Sequence, residues 1–339
     1  SLPGTYTTPL APELYACLSQ LRQAGAHAAA LEVSSHGLAL DRVEGLTFRA
    51  VAVTNVMRDH LDFHGTQEAY VAAKQLLFAK VAADGLCLIN RHSAYCDAFR
   101  RASAGRVITF GYQGSGADFE IADVHVLPAH SAFTIHYQGK AWPVETRMAG
   151  AFQVENAATA MALVVASGYA GEDVAEALRS FDPVSGRMER IAMPNGASAI
   201  VDYAHNPDGL KHVLETCREL CAGRLHVVFG CGGDRDRGKR SLMGALAAEL
   251  ADVAWVTSDN PRTEDPQDIV NDVLAGMQNG SAELHTDVDR ARAIRSAYAS
   301  TAAEDVLLVA GKGHEDYQII GTEKHPFSDQ AVLRALGGA

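Results

Sequence analysis

The chain has 339 residues, 47% hydrophobic and 21% charged, a globular balance and long enough for two ordinary domains. A formal net charge of −12 argues against a broad basic face for nucleic acid, although local Arg and Lys could still hold a phosphate. No apolar run approaches the roughly 18 residues that span a bilayer. The six cysteines include no metal-type CxxC pair, and no signal peptide is visible, which suits reduced thiols in a cytoplasmic protein.

In chain order, Ser1-Leu2-Pro3-Gly4 opens without a methionine and reads as the start of a fragment or a processed chain. The runs 28–33 (Ala-Ala-Ala-Leu-Glu-Val) and 48–54 read as buried strands. Residues 67–81 read as a helix with Thr66 as its N-cap. Two more short strands are expected over 85–90 and 106–111. Between 117 and 148 the pattern changes to alternation, which predicts a hairpin-rich antiparallel patch. Helices follow over 154–167 and 172–180, and the turn-rich Pro183-Val184-Ser185-Gly186 places a domain boundary between 1–184 and 185–339.

Beyond that boundary, four apolar runs each open into a polar loop. Residues 198–201 lead into Asp202-Tyr203-Ala204-His205-Asn206-Pro207-Asp208, and 225–229 into the glycine-rich loop 230–240. Residues 251–257 end at Ser258-Asp259-Asn260-Pro261-Arg262, and 305–310 at Gly311-Lys312-Gly313-His314-Glu315. Alternation with helical segments predicts an α/β fold whose second domain is a Rossmann-like parallel sheet. Ligands bind outside the carboxyl ends of such strands, so the four loops are expected to converge on an active site.

Several residues carry candidate chemistry. Glu32 lies within an apolar run, where a buried carboxylate needs a metal or a cation; the alternative is a solvated strand end. Asp59-His60-Leu61-Asp62-Phe63-His64 gathers two imidazoles and two carboxylates, suited to a hard divalent cation or, more plainly, to a polar helix start. Lys74 stands on an otherwise apolar helix, where a lone lysine is ordinarily solvated. The stretch 233–239 fits GxxxxGK, but Arg240 stands where a phosphate loop needs Ser or Thr, so the loop reads as a cationic anion site. Arg262, fixed by Pro261, could grip a carboxylate, and Glu315 an ammonium; together they describe an amino-acid receptor.

The motifs 32–37, 59–65, Ala72-Ala73-Lys74, Gly186-Arg187-Met188-Glu189, 202–208, 230–240, 259–262 and 311–315, taken in order, resemble the Mur ligases. The nearest resemblance is to the branch that adds meso-diaminopimelate to UDP-N-acetylmuramoyl-L-alanyl-D-glutamate. The resemblance implies a cytoplasmic, monomeric peptidoglycan enzyme with a central ATPase-type domain and a Rossmann-like C-terminal domain. It implies ATP-dependent activation of a carboxylate as an acyl phosphate, which the diaminopimelate amine then attacks. It further implies two Mg2+ ions held by Glu32, His60 and a carbamylated Lys74, with Lys74, His60 and Arg187 catalytic. Asn156, Arg187 and His205 would contact ATP. Thr7, Thr8, Ser34 and Arg42 would contact the UDP-muramoyl substrate, and Arg235, Asp259, Asn260, Arg262, Gly311 and Glu315 the diaminopimelate. Gln153 departs from an asparagine common near the ATP in such ligases.

The family's UDP-binding domain and GTNGKTT-type phosphate loop have no counterpart in this sequence, which contains no GK[ST]. These 339 residues alone are therefore expected not to turn over, and they read as part of a longer enzyme. A folate-type glutamate ligase is a weaker reading, because Arg262 and Glu315 suit a side chain bearing its own amine and carboxylate. A non-catalytic binding module would leave the metal-type and amino-acid-type residues unexplained.

Overall fold

A computed structural model describes residues 6–127 and 130–337; the opening Ser1–Gly4, read above as a fragment start, lies outside them. The chain divides into two compact units. Residues 1–125, 132–145 and 154–179 form the first, and residues 126–131, 146–153 and 180–339 the second.

The first unit runs α1 (Ala11–Gln23), α2 (Ser35–Ala39), β1 (Phe48–Val53), α3 (Leu61–His64), α4 (Gln67–Ala79), β2 (Val81–Asn90) and α5 (Cys96–Ala102). It continues with β3 (Arg106–Tyr112), β4 (Phe119–Val126), β5 (Ser131–Tyr137), β6 (Lys140–Thr146), α6 (Ala151–Ala166) and α7 (Gly171–Ser180). Its sheet has the order β1-β2-β3-β4-β5-β6. The helix α4 begins where Thr66 Oγ1 accepts the Ala69 N–H at 3.1 Å, as expected of an N-cap. Its Tyr70, Val71 and Phe78 pack with Val51, Val53, Ile89 and Phe99. Gln138 and Gly139, at φ 50° and 75°, make the two-residue turn that folds β6 back on β5. The patch is not wholly antiparallel, because β4 joins β3 in parallel register.

One expected strand is absent. Residues 28–33 form no strand, and Ala28, Ala29, Ala30 and Glu32 are exposed. An apolar run becomes a strand only where a neighbour satisfies its backbone N–H and C=O groups. Here β1 is the edge of the sheet and pairs with β2 alone.

The second unit contains β7 (Glu189–Ala192), β8 (Ser198–Asp202), α8 (Pro207–Glu219), β9 (Leu225–Phe229), α9 (Gly238–Leu250), β10 (Val253–Thr257) and α10 (Pro266–Leu274). Then come β11 (Glu283–Asp287), α11 (Arg290–Ala299), β12 (Val306–Ala310), the hairpin β13 (Tyr317–Ile320) and β14 (Glu323–Pro326), and α12 (Asp329–Gly337). The sheet order is β11-β10-β9-β12-β8-β7. It is parallel from β11 to β8, with β7 antiparallel on β8. Side chains alternate between faces, as the strand period of two requires. Ile200, Val227, Phe229 and Leu308 meet Leu210 and Leu214 of α8, Met243 of α9 and Ile269 of α10. Val201, Val228, Leu307 and Val309 face Ala293 and Ile294 of α11 and Leu333 of α12. Burial on both faces explains why these strands read as continuous apolar runs. The edge strands β7 and β11 are partly exposed and polar, and lack that signal.

Candidate functional site

Four loops at the carboxyl ends of β8, β9, β10 and β12 meet, tied by side chains that each loop sends to the next. Arg262 Nη1 donates to the Gly233 carbonyl at 2.7 Å, joining the β10 loop to the β9 loop. Asn260 Nδ2 donates to Glu315 Oε2 at 3.1 Å, and Lys312 Nζ donates to the same oxygen at 2.8 Å and to Asn260 Oδ1 at 3.1 Å. Lys239 Nζ reaches back to the His205 carbonyl at 2.8 Å. The hairpin β13–β14 closes over the β10 loop. Gln318 Nε2 donates to the Asp259 carbonyl at 2.8 Å, and the Ile319 N–H to Asn260 Oδ1 at 2.9 Å. The Arg262 N–H donates to the Ile319 carbonyl at 3.0 Å.

These contacts gather Asp259, Asn260, Arg262 and Glu315, and Gly311 lies against Asp259, a Cβ on it standing 2.7 Å from Oδ2. Gly232 lies against both guanidinium chains: a Cβ there would sit 2.9 Å from Arg262 Nη1 and 3.7 Å from Arg235 Cγ. Burial, and next the neighbouring Arg235, pull Arg262 below the ordinary arginine range. Two neighbouring arginines with guanidinium donors to spare among the described residues could hold a carboxylate. Glu315 is less available than its sequence implies, because Lys312, wholly buried, already supplies an ammonium to it.

The glycine-rich loop is mostly self-satisfied, which corrects its reading as a cationic anion site. Arg240 is 0% exposed. Its Nη1 and Nη2 donate to Glu264 Oε2 and Oε1 at 2.9 and 2.8 Å, and Nη1 also to Asp272 at 2.9 Å. Arg237 pairs with Asp272 as well. A buried guanidinium needs charge partners, and both terminal nitrogens of Arg240 have them, so Arg240 holds the loop's shape. Arg235 and Arg237 are both exposed, but Arg237 is tied to Asp272, whereas Arg235 donates to the Asp234 carbonyl.

On the neighbouring loop, Arg187 lies 4.6 Å over the Tyr203 ring, and the His205 ring packs on the same Tyr203 at 4.8 Å. Asp202 accepts the Met188 and Ala204 N–H groups at 2.8 and 2.7 Å, which fixes both loops; burial pushes its carboxyl upward. Gly186 has φ 70°, and a Cβ there would stand 2.1 Å from the His314 nitrogen. Gly186→Ala is therefore expected to destabilise by about 2–4 kcal/mol, combining a clash with left-handed backbone strain. Urea denaturation checks this, and an unchanged midpoint would refute the close packing.

In the first unit, Thr8 Oγ1 donates to the Glu32 carbonyl at 3.0 Å and accepts the Ser34 N–H at 2.8 Å. Arg42 Nη1 donates to the Thr8 carbonyl at 3.0 Å, and Ser34 Oγ caps α2 through the Gly37 N–H at 3.0 Å. Thr8, Ser34 and Arg42 thus form one cluster, with Thr7 exposed next to it in sequence. His60 sits at φ 55° with its N–H on Asp59 Oδ1 at 2.8 Å, and its ring is 4.7 Å from that of His36. Lys74 is not a solvated surface lysine: its Nζ lies 5.1 Å over the Tyr70 ring. Burial lowers its amine below the ordinary range, against the pull of Asp59 and Glu32.

The carboxylate of Glu32 is exposed, which corrects its reading as buried. Among the described residues no three His, Cys, Asp or Glu side chains converge as a metal centre. Glu32 and His60 with an ammonium form of Lys74 do not fit a metal as they stand. Asn156 lies exposed in the first turns of α6, a helix whose Gln153 is buried.

Sequence reasoning missed Lys312, Gln318 and the structural role of Arg240. A lysine between two glycines at a buried strand end was the available signal for the first. The short hairpin strands bear no apolar alternation.

Comparison with known proteins fits this geometry. Residues 2–164 match the Mur ligase middle domain, and residues 186–313 the Mur ligase, glutamate ligase domain. A UDP-N-acetylmuramoyl-L-alanyl-D-glutamate–2,6-diaminopimelate ligase of Trichormus variabilis is 43% identical over 335 residues, 98% of this chain and 67% of the relative. One from Geobacillus thermodenitrificans is 39% identical over 99% of this chain and 70% of its own length. A solved structure of a ligase of that name is 35% identical, with a TM-score of 0.62 over 96% of this chain and 67% of that one. A MurF structure from Acinetobacter baumannii shares the fold at 17% identity and a TM-score of 0.67, over 86% of this chain and 60% of that one. With matches in both units and relatives of one kind along nearly its whole length, the chain belongs to the Mur ligase family.

Proposed function

We propose that this protein is an ATP-dependent amide ligase that joins meso-diaminopimelate to UDP-N-acetylmuramoyl-L-alanyl-D-glutamate in peptidoglycan biosynthesis. The observation that carries the reading is the loop cluster of the second unit, where the charges of Arg235, Asp259 and Glu315 all act on Arg262. Opposed cations and carboxylates suit an acceptor that bears both an amine and a carboxylate on its side chain. A carboxylate is a poor electrophile, and ATP supplies the phosphoryl group that turns its oxygen into a leaving group.

The residues of this chain then have distinct tasks. Arg235, Asp259, Asn260, Arg262, Gly311 and Glu315 orient the diaminopimelate, while Thr7, Thr8, Ser34 and Arg42 contact the UDP-muramoyl substrate. Arg187 and His205 offer a cation and an imidazole suited to phosphate oxygens, and Asn156 contributes to nucleotide binding. Lys74 gains its role by carbamylation, since a lowered amine pKa enlarges the neutral, nucleophilic fraction. The carbamate replaces a cation with an anion and would complete, with Glu32 and His60, a donor set for Mg2+. We take 1–184 as the middle domain and 185–339 as the C-terminal domain of a monomeric, cytoplasmic enzyme. Among the described residues no helix is long and apolar enough to cross a membrane.

Phosphate release by the full-length natural protein, given ATP, Mg2+ and the UDP-muramoyl dipeptide, should depend on meso-diaminopimelate. Equal turnover with L-lysine, or none with either amino acid, would overturn the assignment.

A further inference from the structure

We propose that Arg290 is a positioning residue of the amino-acid cleft, locked by Asp329 and setting the spacing of the loops after β10 and β12. The inference rests on the reading of that cleft as the diaminopimelate site.

Arg290, at the start of α11, and Asp329, at the start of α12, are 1% and 0% exposed. Arg290 Nε donates to Asp329 Oδ1 and Nη2 to Asp329 Oδ2, both at 2.8 Å, a bidentate pair that fixes the guanidinium plane. Its remaining contacts go to the backbone of the two site loops. Nη2 donates to the Ala310 carbonyl at 2.9 Å and Nη1 to the Ser258 carbonyl at 3.5 Å. Those carbonyls immediately precede Gly311 and Asp259. Gly311 has φ 117°, and a Cβ on it would stand 2.7 Å from Asp259 Oδ2 and 3.9 Å from Arg290 Nη2. Next to Asp329, Gln330 Nε2 donates to the Gly313 carbonyl at 2.8 Å. The amino end of α12 therefore holds the 311–315 loop directly through Gln330, and through Asp329 it orients Arg290, which spans the residues just before that loop and the 259–262 loop.

A buried ion pair is a poor source of net stability, since desolvation offsets most of its attraction, and apolar replacement of both partners is often tolerated. Its orientation onto two carbonyls gives it a geometric effect that an apolar pair lacks. Without it, β10 and β12 remain hydrogen-bonded into the sheet through β9. What changes is the separation of Arg262 from Glu315 at the loop tips.

The test is steady-state kinetics of the full-length natural protein bearing Arg290→Met together with Asp329→Leu, with Asp329→Asn and Arg290→Lys alongside. We expect the double variant to raise the KM for meso-diaminopimelate roughly ten-fold, with a weaker preference over L-lysine and a KM for ATP within about two-fold of the original. Asp329→Asn should shift the same constants less, and Arg290→Lys should recover them only in part. If the role is merely structural, loss of folded protein lowers the apparent kcat and leaves the KM for meso-diaminopimelate and the amino-acid preference unchanged. That result overturns the proposal. Should the double variant not fold, Asp329→Asn decides alone, an unchanged KM counting against the proposal. Arg262→Ala is the control. If it too leaves the KM for meso-diaminopimelate untouched, the reading of the cleft itself fails, whereas an effect there without one at Arg290 sinks only this inference.

Discussion

Removing the Arg262 side chain, by Arg262→Ala in the full-length natural protein, is expected to raise the KM for meso-diaminopimelate roughly ten- to a thousand-fold. The ground is the loss of a charge-assisted contact in a partly buried cleft, worth about 1.5–4 kcal/mol once the ligand carboxylate is left desolvated and unpaired. Arg262 spends Nη1 on the Gly233 and Asn260 carbonyls, and its other guanidinium N–H groups have no partner among the described residues. The KM for ATP should change little. Arg262→Lys should restore affinity incompletely, because an ammonium lacks the planar fork. Kinetics with meso-diaminopimelate and L-lysine on the same variant separate selection from simple loop damage. An unchanged preference for meso-diaminopimelate sinks the assignment.

The second large effect is expected at Lys74. Lys74→Ala should lower kcat by roughly a thousand-fold or more, as does the loss of a group that supports charge neutralisation in phosphoryl transfer. If the working form is a carbamate, a short carboxylic acid such as acetate at high concentration should restore part of the activity, because it returns an anion to the vacated space. Activity close to that of the unaltered protein would make Lys74 an ordinary half-buried lysine lying over Tyr70.

Much of the second unit was legible because its strands are buried on both faces, so 198–201, 225–229 and 306–310 announce themselves as apolar runs. The loops after them were legible for a topological reason, since a parallel sheet delivers its strand ends to one side. The strand expected over 28–33 was not formed, because composition states an appetite for burial and says nothing of whether a neighbour exists. Arg240 misled for a related reason. Its charge was visible, but its two partners, Glu264 and Asp272, lie 24 and 32 residues away in sequence. Arg290 was invisible on the same account, its partner being 39 residues distant. Lys74 reversed its reading because exposure depends on what lies above the helix, here the ring of Tyr70.

The backbone at Arg262 lies at φ 51°, a left-handed conformation that costs a residue with a Cβ about 1 kcal/mol. Glycine would be more comfortable there. Arg262→Gly should thus be more stable to urea than Arg262→Ala by about 1 kcal/mol, although both lose the guanidinium. Selection for heat resistance alone would then, at this position, favour glycine over side chains that carry a Cβ, at the expense of the residue proposed to recognise the incoming amino acid. In laboratory evolution of this protein, a screen that reads only the melting temperature would drift toward variants that fold better and choose worse.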